Sequence, residues 1–360
     1  MQIGLVGMPL SGKTTLFNLL TGNLQPVKKG LAEGVFTGSA VVPDFRIDFL
    51  SALYQPKKTT CARIVFKDIP GVKMDDNRAR ASRLLDEARL ADALVQVLRV
   101  FSSSEVDTVT GKAKPYADLT DYATELILAD IDALEKRIAR LEDLPKRKKD
   151  SSRQIELFKR LLSALEEERF ISSLELTADE KELLEGQIFL SEKPLILAVN
   201  IDEDQLRRDD YPDRDKIYAY AFEKGLPVVE ICARAEMEIS QLMPEEQDEF
   251  MEDLGLKESS LGRLACMAYE LLNLSSFFTV GEDEVRAWTV RNGASARRAA
   301  GKIHSDIERG FIRAEVFHYD HLQQLGSSVK VREAGLFRLE GKDYTVSDGD
   351  IISFRFNVSA

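Results

Sequence analysis

The chain has 360 residues, of which 44% are hydrophobic and 31% are charged. At about 150 residues per domain, this length predicts two or three domains in a globular protein with enough apolar material for a core. The net charge of −12 argues against wholesale nonspecific nucleic-acid binding, so no DNA partner is expected, although a local basic patch is compatible with it. No apolar run approaches the roughly 20 residues of a membrane-spanning helix, so no membrane partner is expected either.

A phosphate-binding motif stands near the start of the chain. Residues 7–14 read GMPLSGKT and fit G-x-x-x-x-G-K-[ST], the phosphate loop of nucleotide triphosphatases. The apolar run 2–6 predicts a buried strand before it, and residues 15–20 predict a helix after it. Glycines let the backbone N–H groups surround phosphates, and the helix N-terminus adds partial positive charge. We predict nucleotide contacts from six residues of this segment: Leu10, Ser11, Gly12, Lys13, Thr14 and Thr15.

Two side chains of the loop have specific predicted roles. Lys13 would reach the β- and γ-phosphates, and the hydroxyl of Thr14 would bind Mg²⁺. The alternative is a chance glycine-rich turn between a strand and a helix. The flanking strand and helix together favour the phosphate loop.

The first switch region of such a fold is predicted in the loop between Gly22 and Gly38. Its only threonine, Thr37, is interpreted as an ordinary loop residue. A strand is predicted at 62–67, and D-x-x-G follows at 68–71. Asp68 is predicted to hold Mg²⁺, usually through water, and Gly71 to present its N–H to the γ-phosphate and act as the pivot of a second switch.

Val72 follows this motif, where many Ras-like GTPases carry a glutamine that orients the attacking water. A valine cannot orient water. Another group must do so, or hydrolysis is slow, and the catalytic residue is therefore unknown from the sequence.

A helical hairpin is predicted after a strand at 93–100 and a polar loop at 102–120. Apolar residues recur at steps of three and four along two segments, which predicts two helices with packed seams; they are Ile127, Ile131, Leu134, Ile138 and Leu141, then Ile155, Phe158, Leu162 and Leu165. Residues 145–152 read PKRKKDSS and predict a basic tip between the helices. The tip either contacts RNA phosphates or is a solvated turn, and the sequence leaves both open.

The base-binding segment is predicted after a strand at 195–199, at the strand end where α/β folds place ligand contacts. GTPases carry N-K-x-D here, whose aspartate accepts hydrogen bonds from guanine. This chain reads Asn200, Ile201, Asp202 and Glu203, so the lysine is replaced and the carboxylate is one methylene longer. The longer carboxylate weakens the guanine contact and makes ATP at least competitive with GTP. We predict nucleotide contacts from Asn200, Ile201, Glu203 and also Ala233, which is otherwise an ordinary alanine after the strand at 226–232.

The C-terminal part predicts a small mixed α+β module beyond a helical segment at 243–274. Its predicted strands lie at 284–290, 344–346 and 350–357, with short helices at 299–307 and 320–325. Its first half is basic and either meets RNA or forms a solvated surface; the residues are Arg286, Arg291, Arg297, Arg298, Lys302, Arg309 and Arg313.

Cysteine and histidine usage predicts neither a metal centre nor disulfide bonds. The cysteines at 61, 232 and 266 are scattered without C-x-x-C spacing, which is typical of a reducing cytoplasm. His318 and His321 are three residues apart, but no cysteine or acidic residue completes a metal site with them.

Several motifs resemble the YchF/Obg-like ATPase family over nearly the whole chain. They are residues 7–18, 42–48, 68–71, 124–130, 200–203 and 231–234, and the more specific C-terminal segments 284–289, 300–316 and 348–358. The resemblance implies an α/β fold with a Ras-like P-loop domain on a mostly parallel sheet, a helical coiled-coil insertion and a C-terminal TGS-type, β-grasp-like domain. The corresponding predicted ranges are 1–120 and 191–276 for the P-loop domain, 121–190 for the insertion and 277–360 for the TGS-type domain.

The resemblance also implies a function. It implies binding of ATP rather than GTP, with Mg²⁺, hydrolysis to ADP and phosphate, association with ribosomes or ribosomal RNA, and a regulatory role in translation or stress. The family carries a hydrophobic residue in place of the GTPase glutamine, and Val72 matches it.

Three positions depart from the family pattern. The second switch at 73–80 has no glycine, Thr108 stands where the family has a histidine proposed to help hydrolysis, and Ala32 aligns with the usual first-switch threonine. We therefore expect nucleotide binding to survive better than turnover. The alternatives to an ATPase are a nucleotide-gated binding protein with little hydrolysis, and a GTPase of relaxed base specificity.

Overall fold

The computed structural model describes residues 1–22, 34–71, 78–143, 149–256 and 258–357. The chain forms two compact units, one from Met1–Gly38 with Val65–Leu264 and the other from Ser39–Ile64 with Ala265–Ala360. These units combine segments that are distant in the sequence. The four ranges proposed from the sequence describe domains in a different sense and stay a prediction.

The secondary structure of the described residues alternates between strands and helices. The strands are β1 Gln2–Val6, β2 Phe36–Val41, β3 Lys58–Thr60, β4 Arg63–Asp68, β5 Ala93–Arg99, β6 Leu195–Asn200, β7 Val228–Ile231, β8 Leu274–Thr279, β9 Glu284–Arg291, β10 Phe311–His318, β11 Arg338–Glu340 and β12 Asp350–Phe356. The helices are α1 Lys13–Thr21, α2 Phe45–Tyr54, α3 Arg78–Arg89, α4 Ser104–Thr110, α5 Pro115–Glu142, α6 Lys149–Glu166, α7 Ala178–Leu183, α8 Glu203–Arg208, α9 Arg214–Lys224, α10 Ala233–Ile239, α11 Pro244–Asp253, α12 Ser260–Leu271, α13 Ala296–Ile303, α14 Ser305–Arg309, α15 Tyr319–Leu325 and α16 Ser328–Glu333. No helix in the described ranges is long and apolar enough to cross a membrane.

The first unit is built on a six-stranded sheet in the order β2-β4-β1-β5-β6-β7. The neighbours from β4 to β7 are all parallel. Every residue of β5 and β6 is buried, as expected for parallel strands that are covered on both faces. The phosphate segment begins after β1, while Asp68 is the last residue of β4 and Asn200 the last residue of β6. The predicted phosphate, magnesium and base segments therefore all lie at the carboxyl ends of parallel strands.

The helical insertion joins the same core. Leu134 and Ile138 of α5 and Phe158 and Leu165 of α6 are buried there, which confirms the predicted seams. The predicted polar loop at 102–120 is wrong, because α4 and the start of α5 lie within it. Ser103 accepts the N–H of Val106 and starts α4, while Pro115 occupies the first turn of α5. The first half of the predicted basic tip, residues 145–148, lies outside the described residues.

The second unit contains a mixed six-stranded sheet in the order β11-β10-β12-β8-β9-β3. Strand β3 comes from the N-terminal part of the chain and pairs in parallel with β9, for example Thr59 with Val285. The predicted strand at 344–346 is wrong: only Thr345 forms an isolated bridge, with Ser295. Tyr344 instead donates its hydroxyl to Asp350, which also accepts the N–H of Ser347, so these residues form a hydrogen-bonded turn before β12.

Candidate nucleotide-binding site

The backbone of residues 7–12 adopts a conformation that requires glycine at both ends. Gly7 has φ +130° and Gly12 has φ +98°, and between them Leu10 has φ +62°. A Cβ on Gly7 would lie 2.6 Å from the carbonyl oxygen of Val97, and a Cβ on Gly12 would lie 2.2 Å from Nδ2 of Asn200. Both positions combine left-handed backbone with close packing, so a larger residue would disturb the loop.

The side chain of Lys13 is buried against this loop. Its Nζ donates to the carbonyl oxygens of Gly7 at 3.0 Å and Met8 at 2.7 Å, and the residue is 5% exposed. Burial lowers the pKa of Lys13 to about 8, although the negative charge of Asp68 opposes the shift. This ammonium group is desolvated and lies at a helix N-terminus. It can therefore exchange its two carbonyl acceptors for an anion, whose negative charge makes it a stronger acceptor.

Thr14 and Asp68 form the neighbouring pair. Thr14 Oγ1 donates to Asp68 Oδ2 at 2.7 Å, and Asp68 is 2% exposed. Burial raises the pKa of the Asp68 carboxyl, while the Thr14 hydrogen bond and the Lys13 charge act in the opposite direction. Asp68 Oδ1 is buried and has no hydrogen-bond partner among the described residues. An orphaned buried carboxylate oxygen is unfavourable, and a hard cation would satisfy it.

Thr14 and Asp68 provide two of the oxygen ligands that a Mg²⁺ ion needs. The described residues hold no group of three or more His, Cys, Asp or Glu side chains that could bind a metal by themselves. One hydroxyl and one carboxylate suit Mg²⁺, which commonly keeps waters and takes further oxygens from substrate phosphates. The donor set therefore suits a magnesium ion that arrives with a nucleotide.

Gly71 packs directly on the phosphate loop. A Cβ at this position would lie 2.5 Å from the backbone nitrogen of Pro9 and 2.7 Å from the carbonyl oxygen of Gly7. The structure thus brings the D-x-x-G segment and the loop together. Val72 and the predicted second switch up to residue 77 lie outside the described residues, as does Ala32.

Asn200 connects the phosphate loop to the predicted base segment. Its Nδ2 donates to the carbonyl oxygen of Ser11 at 3.0 Å, and its Oδ1 accepts from the N–H of Ala233 at 3.3 Å. Asn200, Ser11 and Ala233 are all buried. Three residues that the sequence assigns to the site therefore meet through one side chain.

Ile201 and Glu203 occupy different environments. Ile201 is 2% exposed in the hydrophobic core, and its N–H donates to the carbonyl oxygen of Ile231. Its side chain is therefore not presented to the site, and a contact with a nucleotide would come from its carbonyl group. Glu203 begins α8 with a half-exposed side chain, and one of its carboxylate oxygens lies 4.0 Å from Nε of Arg234.

Sequence reasoning missed the contacts made by residues that follow β5. The N–H groups of Val100 and Phe101 both donate to the carbonyl oxygen of Asn200, at 3.0 and 3.1 Å. The N–H of Ser102 donates to Asp202, whose other oxygen caps α8 by accepting from Gln205. The pairing of β5 with β6 is the signal that could have placed these residues beside the base segment.

Thr14 and Thr15 lie in the first turn of α1 and are half-buried, as is Leu10 in the loop. Thr37 lies in β2 rather than in a loop. Thr108 lies in α4, where its hydroxyl donates to the carbonyl oxygen of Ser104 in the same helix at 2.8 Å. The hydroxyl of Thr108 is thus engaged within its own helix.

Two family models match the chain. The YchF-GTPase_C model, described as a protein of unknown function (DUF933), matches residues 274–357, and a model described as a 50S ribosome-binding GTPase matches residues 2–130. The ribosome-binding ATPase YchF of Bacillus subtilis (strain 168) is 39% identical over 367 residues, which cover 99% of both chains. The chain belongs to the YchF family.

Other YchF proteins extend the comparison. The ribosome-binding ATPase YchF of Escherichia coli O157:H7 is 37% identical over 368 residues, again covering 99% of both chains. The solved structure of the Schizosaccharomyces pombe YchF GTPase has a TM-score of 0.88 at 29% identity and covers 99% of this chain and 97% of its own. The fold is therefore the YchF fold, with a Ras-like P-loop domain of α/β class. The names of these relatives differ in the nucleotide, since two are ATPases and one is a GTPase.

Proposed function

We propose that this YchF-family chain binds ATP with Mg²⁺ at the phosphate loop, hydrolyses it to ADP and phosphate, and acts on the ribosome in the cytoplasm. The proposal depends above all on the Lys13 ammonium group, buried beside Thr14 and Asp68 at the N-terminus of α1. The relatives from B. subtilis and E. coli support the proposal, because both are named ribosome-binding ATPases.

Each residue of the loop has a part in binding the triphosphate. The Nζ of Lys13 exchanges the carbonyl oxygens of Gly7 and Met8 for phosphate oxygens, which are stronger acceptors because they are charged. Backbone N–H groups of residues 10–15 surround the phosphates, and Gly71 presents its N–H to the γ-phosphate. Thr14 and Asp68 would hold Mg²⁺, and the ion would supply positive charge against the phosphate oxygens.

The adenine preference is supported by the surroundings of Glu203. Guanine recognition needs a carboxylate that is free to accept two hydrogen bonds from the base. Glu203 faces the Arg234 guanidinium at 4.0 Å, and Asp202 is already engaged by Ser102 and Gln205. Asp202 would have to give up a hydrogen bond to accept from guanine, and the Arg234 charge 4.0 Å away competes with guanine for Glu203. GTP remains the second candidate because the S. pombe relative is named a GTPase.

The hydrolytic step has no assigned catalytic side chain. Val72 cannot orient water, and Thr108 is bonded within α4. A slow ATPase is therefore expected, and a nucleotide-gated binding protein with little hydrolysis is the limiting case.

Single-turnover hydrolysis with ATP and with GTP, alongside the dissociation constant of each, distinguishes these functions. We expect ATP to bind more tightly than GTP and to release phosphate in a Mg²⁺-dependent reaction. Tight ATP binding without phosphate release identifies the nucleotide-gated protein. Tighter GTP binding overturns the assignment of Glu203 and Arg234.

The ribosomal partner is tested by co-sedimentation. Replacing Lys146, Arg147, Lys148 and Lys149 by glutamine should lower pelleting with ribosomes, and more salt should reduce the difference because phosphate contacts are screened. The matched variant neutralises the exposed residues Arg297, Arg298 and Lys302 of α13 in the second unit. Reduced pelleting of this variant alone assigns the contact to the C-terminal module. Normal pelleting of both variants contradicts a ribosomal contact through either basic surface.

A further inference from the structure

A cavity of about 270 Å³ lies at the base of the helical insertion, apart from the nucleotide site. It is formed within the first unit by the end of α3, the middle of α5, α6 and residues 186–189. Leu134, Phe158, Phe189 and Ile188 give it apolar walls. Leu134, Phe158 and Phe189 are buried, while Ile188 is 53% exposed and lies at the opening. The cavity is therefore a recess with both apolar and polar walls that opens to solvent.

The charged residues that line the cavity are both arginines. Arg137 of α5 is exposed and has no hydrogen bond or ion pair among the described residues. Arg89, the last residue of α3, is 23% exposed at its side chain. No acidic side chain is among the described residues that line the recess.

Two carboxylates, Asp86 and the buried Asp130, form ion pairs with Arg89. Asp130 is fully buried and accepts the N–H groups of Leu190 and Ser191 and the Ser191 hydroxyl, at 3.0, 2.7 and 2.7 Å. Its contact with Arg89 is the longest of its hydrogen bonds, at 3.4 Å. Arg89 also donates to Asp86 at 3.3 Å and to the Ala129 carbonyl oxygen, so its charge is already paired with carboxylates, and the positive charge left at the recess is that of Arg137.

We propose that this cavity binds a small amphipathic carboxylate, with the apolar group against Leu134 and Phe158 and the carboxylate facing Arg137. A dry cavity of about 150 Å³ accommodates benzene, so this recess has room for a ring and a short chain. Guanidinium groups match carboxylates because they donate two parallel hydrogen bonds. The same chemistry is found in a free aryl-alkyl acid and in the C-terminal residue of a peptide.

The test uses 3-phenylpropionate as the probe and its neutral amide as the matched control, with ligand-observed NMR on the full chain. The acid should bind saturably, and the amide at least about fivefold more weakly, because the carboxylate-to-arginine contact contributes about 1 kcal/mol or more. Acetyl-Gly-Phe with a free carboxylate, compared with its C-terminal amide, separates a peptide source from a free acid. Tighter binding of the peptide acid than of 3-phenylpropionate assigns the peptide, and weaker binding assigns the small molecule.

Three variants locate the site. Arg137→Gln should weaken 3-phenylpropionate binding at least about fivefold for the same reason, and its exposed position leaves folding intact. Arg140→Gln on the same helix changes an exposed arginine that does not line the cavity, so it should bind like the parent chain. Ala133→Phe should fill the recess and abolish binding. Absence of binding, equal binding of acid and amide, or equal effects of the two arginine substitutions overturns the proposal.

Discussion

The side-chain amide of Asn200 donates a hydrogen bond to the carbonyl oxygen of Ser11 at 3.0 Å. The same side chain accepts the N–H of Ala233 at 3.3 Å. One buried residue at the end of β6 therefore holds the phosphate loop and the start of α10 in a fixed relation. In the proposed function these two segments contact opposite ends of the same nucleotide.

Replacing Asn200 by alanine should weaken ATP binding about tenfold, because a buried polar group left without a partner costs about 1–3 kcal/mol. The substitution removes both hydrogen bonds and leaves the Ser11 carbonyl oxygen and the Ala233 N–H unpaired. Calorimetric titration gives the affinity, and urea unfolding gives the loss of stability. Asn292→Ala, which removes an exposed hydrogen bond to Asn273, is the control and should leave ATP affinity unchanged. Parental ATP affinity in Asn200→Ala is incompatible with the bridging role.

Glu203→Asp should shift the ratio of ATP to GTP affinity towards GTP by about tenfold, a change of about 1.4 kcal/mol. The shorter side chain moves the carboxylate away from Arg234 and restores the residue type that GTPases carry. Competition between the two nucleotides measures the ratio. Glu238→Asp is the matched control, because Glu238 contacts the same arginine at 3.2 Å from one turn further along α10. An unchanged ratio in Glu203→Asp, or an equal shift in both variants, refutes the specificity argument.

ATP affinity should fall as the pH rises above about 8, the pKa that burial gives Lys13. The nucleotide binds the protonated amine, so binding above this pH takes up a proton and weakens by about tenfold per pH unit. Titrations at pH 8.5 in buffers of different ionisation enthalpy measure the proton uptake. The matched titrations at pH 6.5 should show almost no uptake at Lys13. Equal uptake at both pH values contradicts the role of this amine.

The lowered pKa of Lys13 also affects stability. The free energy of unfolding should rise with pH, whereas the ATP affinity should fall. Lys13 has a folded-state pKa of about 8, below its ordinary value of 10.5. The unfolded chain therefore binds more protons between these values, and the contribution of this group to the free energy of unfolding rises with pH in that window. In Lys13→Met this component should vanish, which urea unfolding at pH 8 and pH 10 would detect. An identical pH dependence in both chains argues that the amine is not desolvated.

Asp68→Asn should raise the Mg²⁺ concentration needed for half-maximal ATP turnover about tenfold or more, because a neutral amide is a weaker ligand for a hard cation. Its remaining oxygen can still accept the Thr14 hydrogen bond, so the fold is preserved. Asp132→Asn, on an exposed i,i+4 ion pair with Lys136, is the control. A Mg²⁺ requirement that is unaltered by Asp68→Asn removes this residue from the metal site.

The phosphate loop could be predicted because the residues that bind phosphate are consecutive in the sequence and lie between a strand and a helix. Asn200 and Ala233 could be predicted for a related reason, since Asn200 ends one strand and Ala233 follows another in a parallel sheet whose carboxyl ends meet at one edge. The burial of the Ile201 side chain and the approach of Arg234 to Glu203 could not. Both depend on packing between elements that the local sequence does not specify.

Two further structural features could not be predicted from the sequence, helix α4 and the pairing of β3. Helix α4 carries no buried residue, so it lacks the apolar periodicity that identifies a helix in a sequence. Residues 39–64 lie between the phosphate loop and the D-x-x-G motif in the sequence, yet β3 within them pairs with β9 of the second unit. Such long-range strand pairing has no signature in a short window of sequence.

The most direct test of the nucleotide site is equilibrium binding of ATP with Mg²⁺ to the full chain and to Lys13→Ala. We expect saturable, Mg²⁺-dependent binding by the parent chain and about 100-fold weaker binding by the variant, since loss of a buried charge partner costs about 2–5 kcal/mol. Lys136→Ala, at an exposed position of α5, should bind like the parent. No ATP binding by the parent chain, or equal affinity in Lys13→Ala, would contradict the assignment of the phosphate loop.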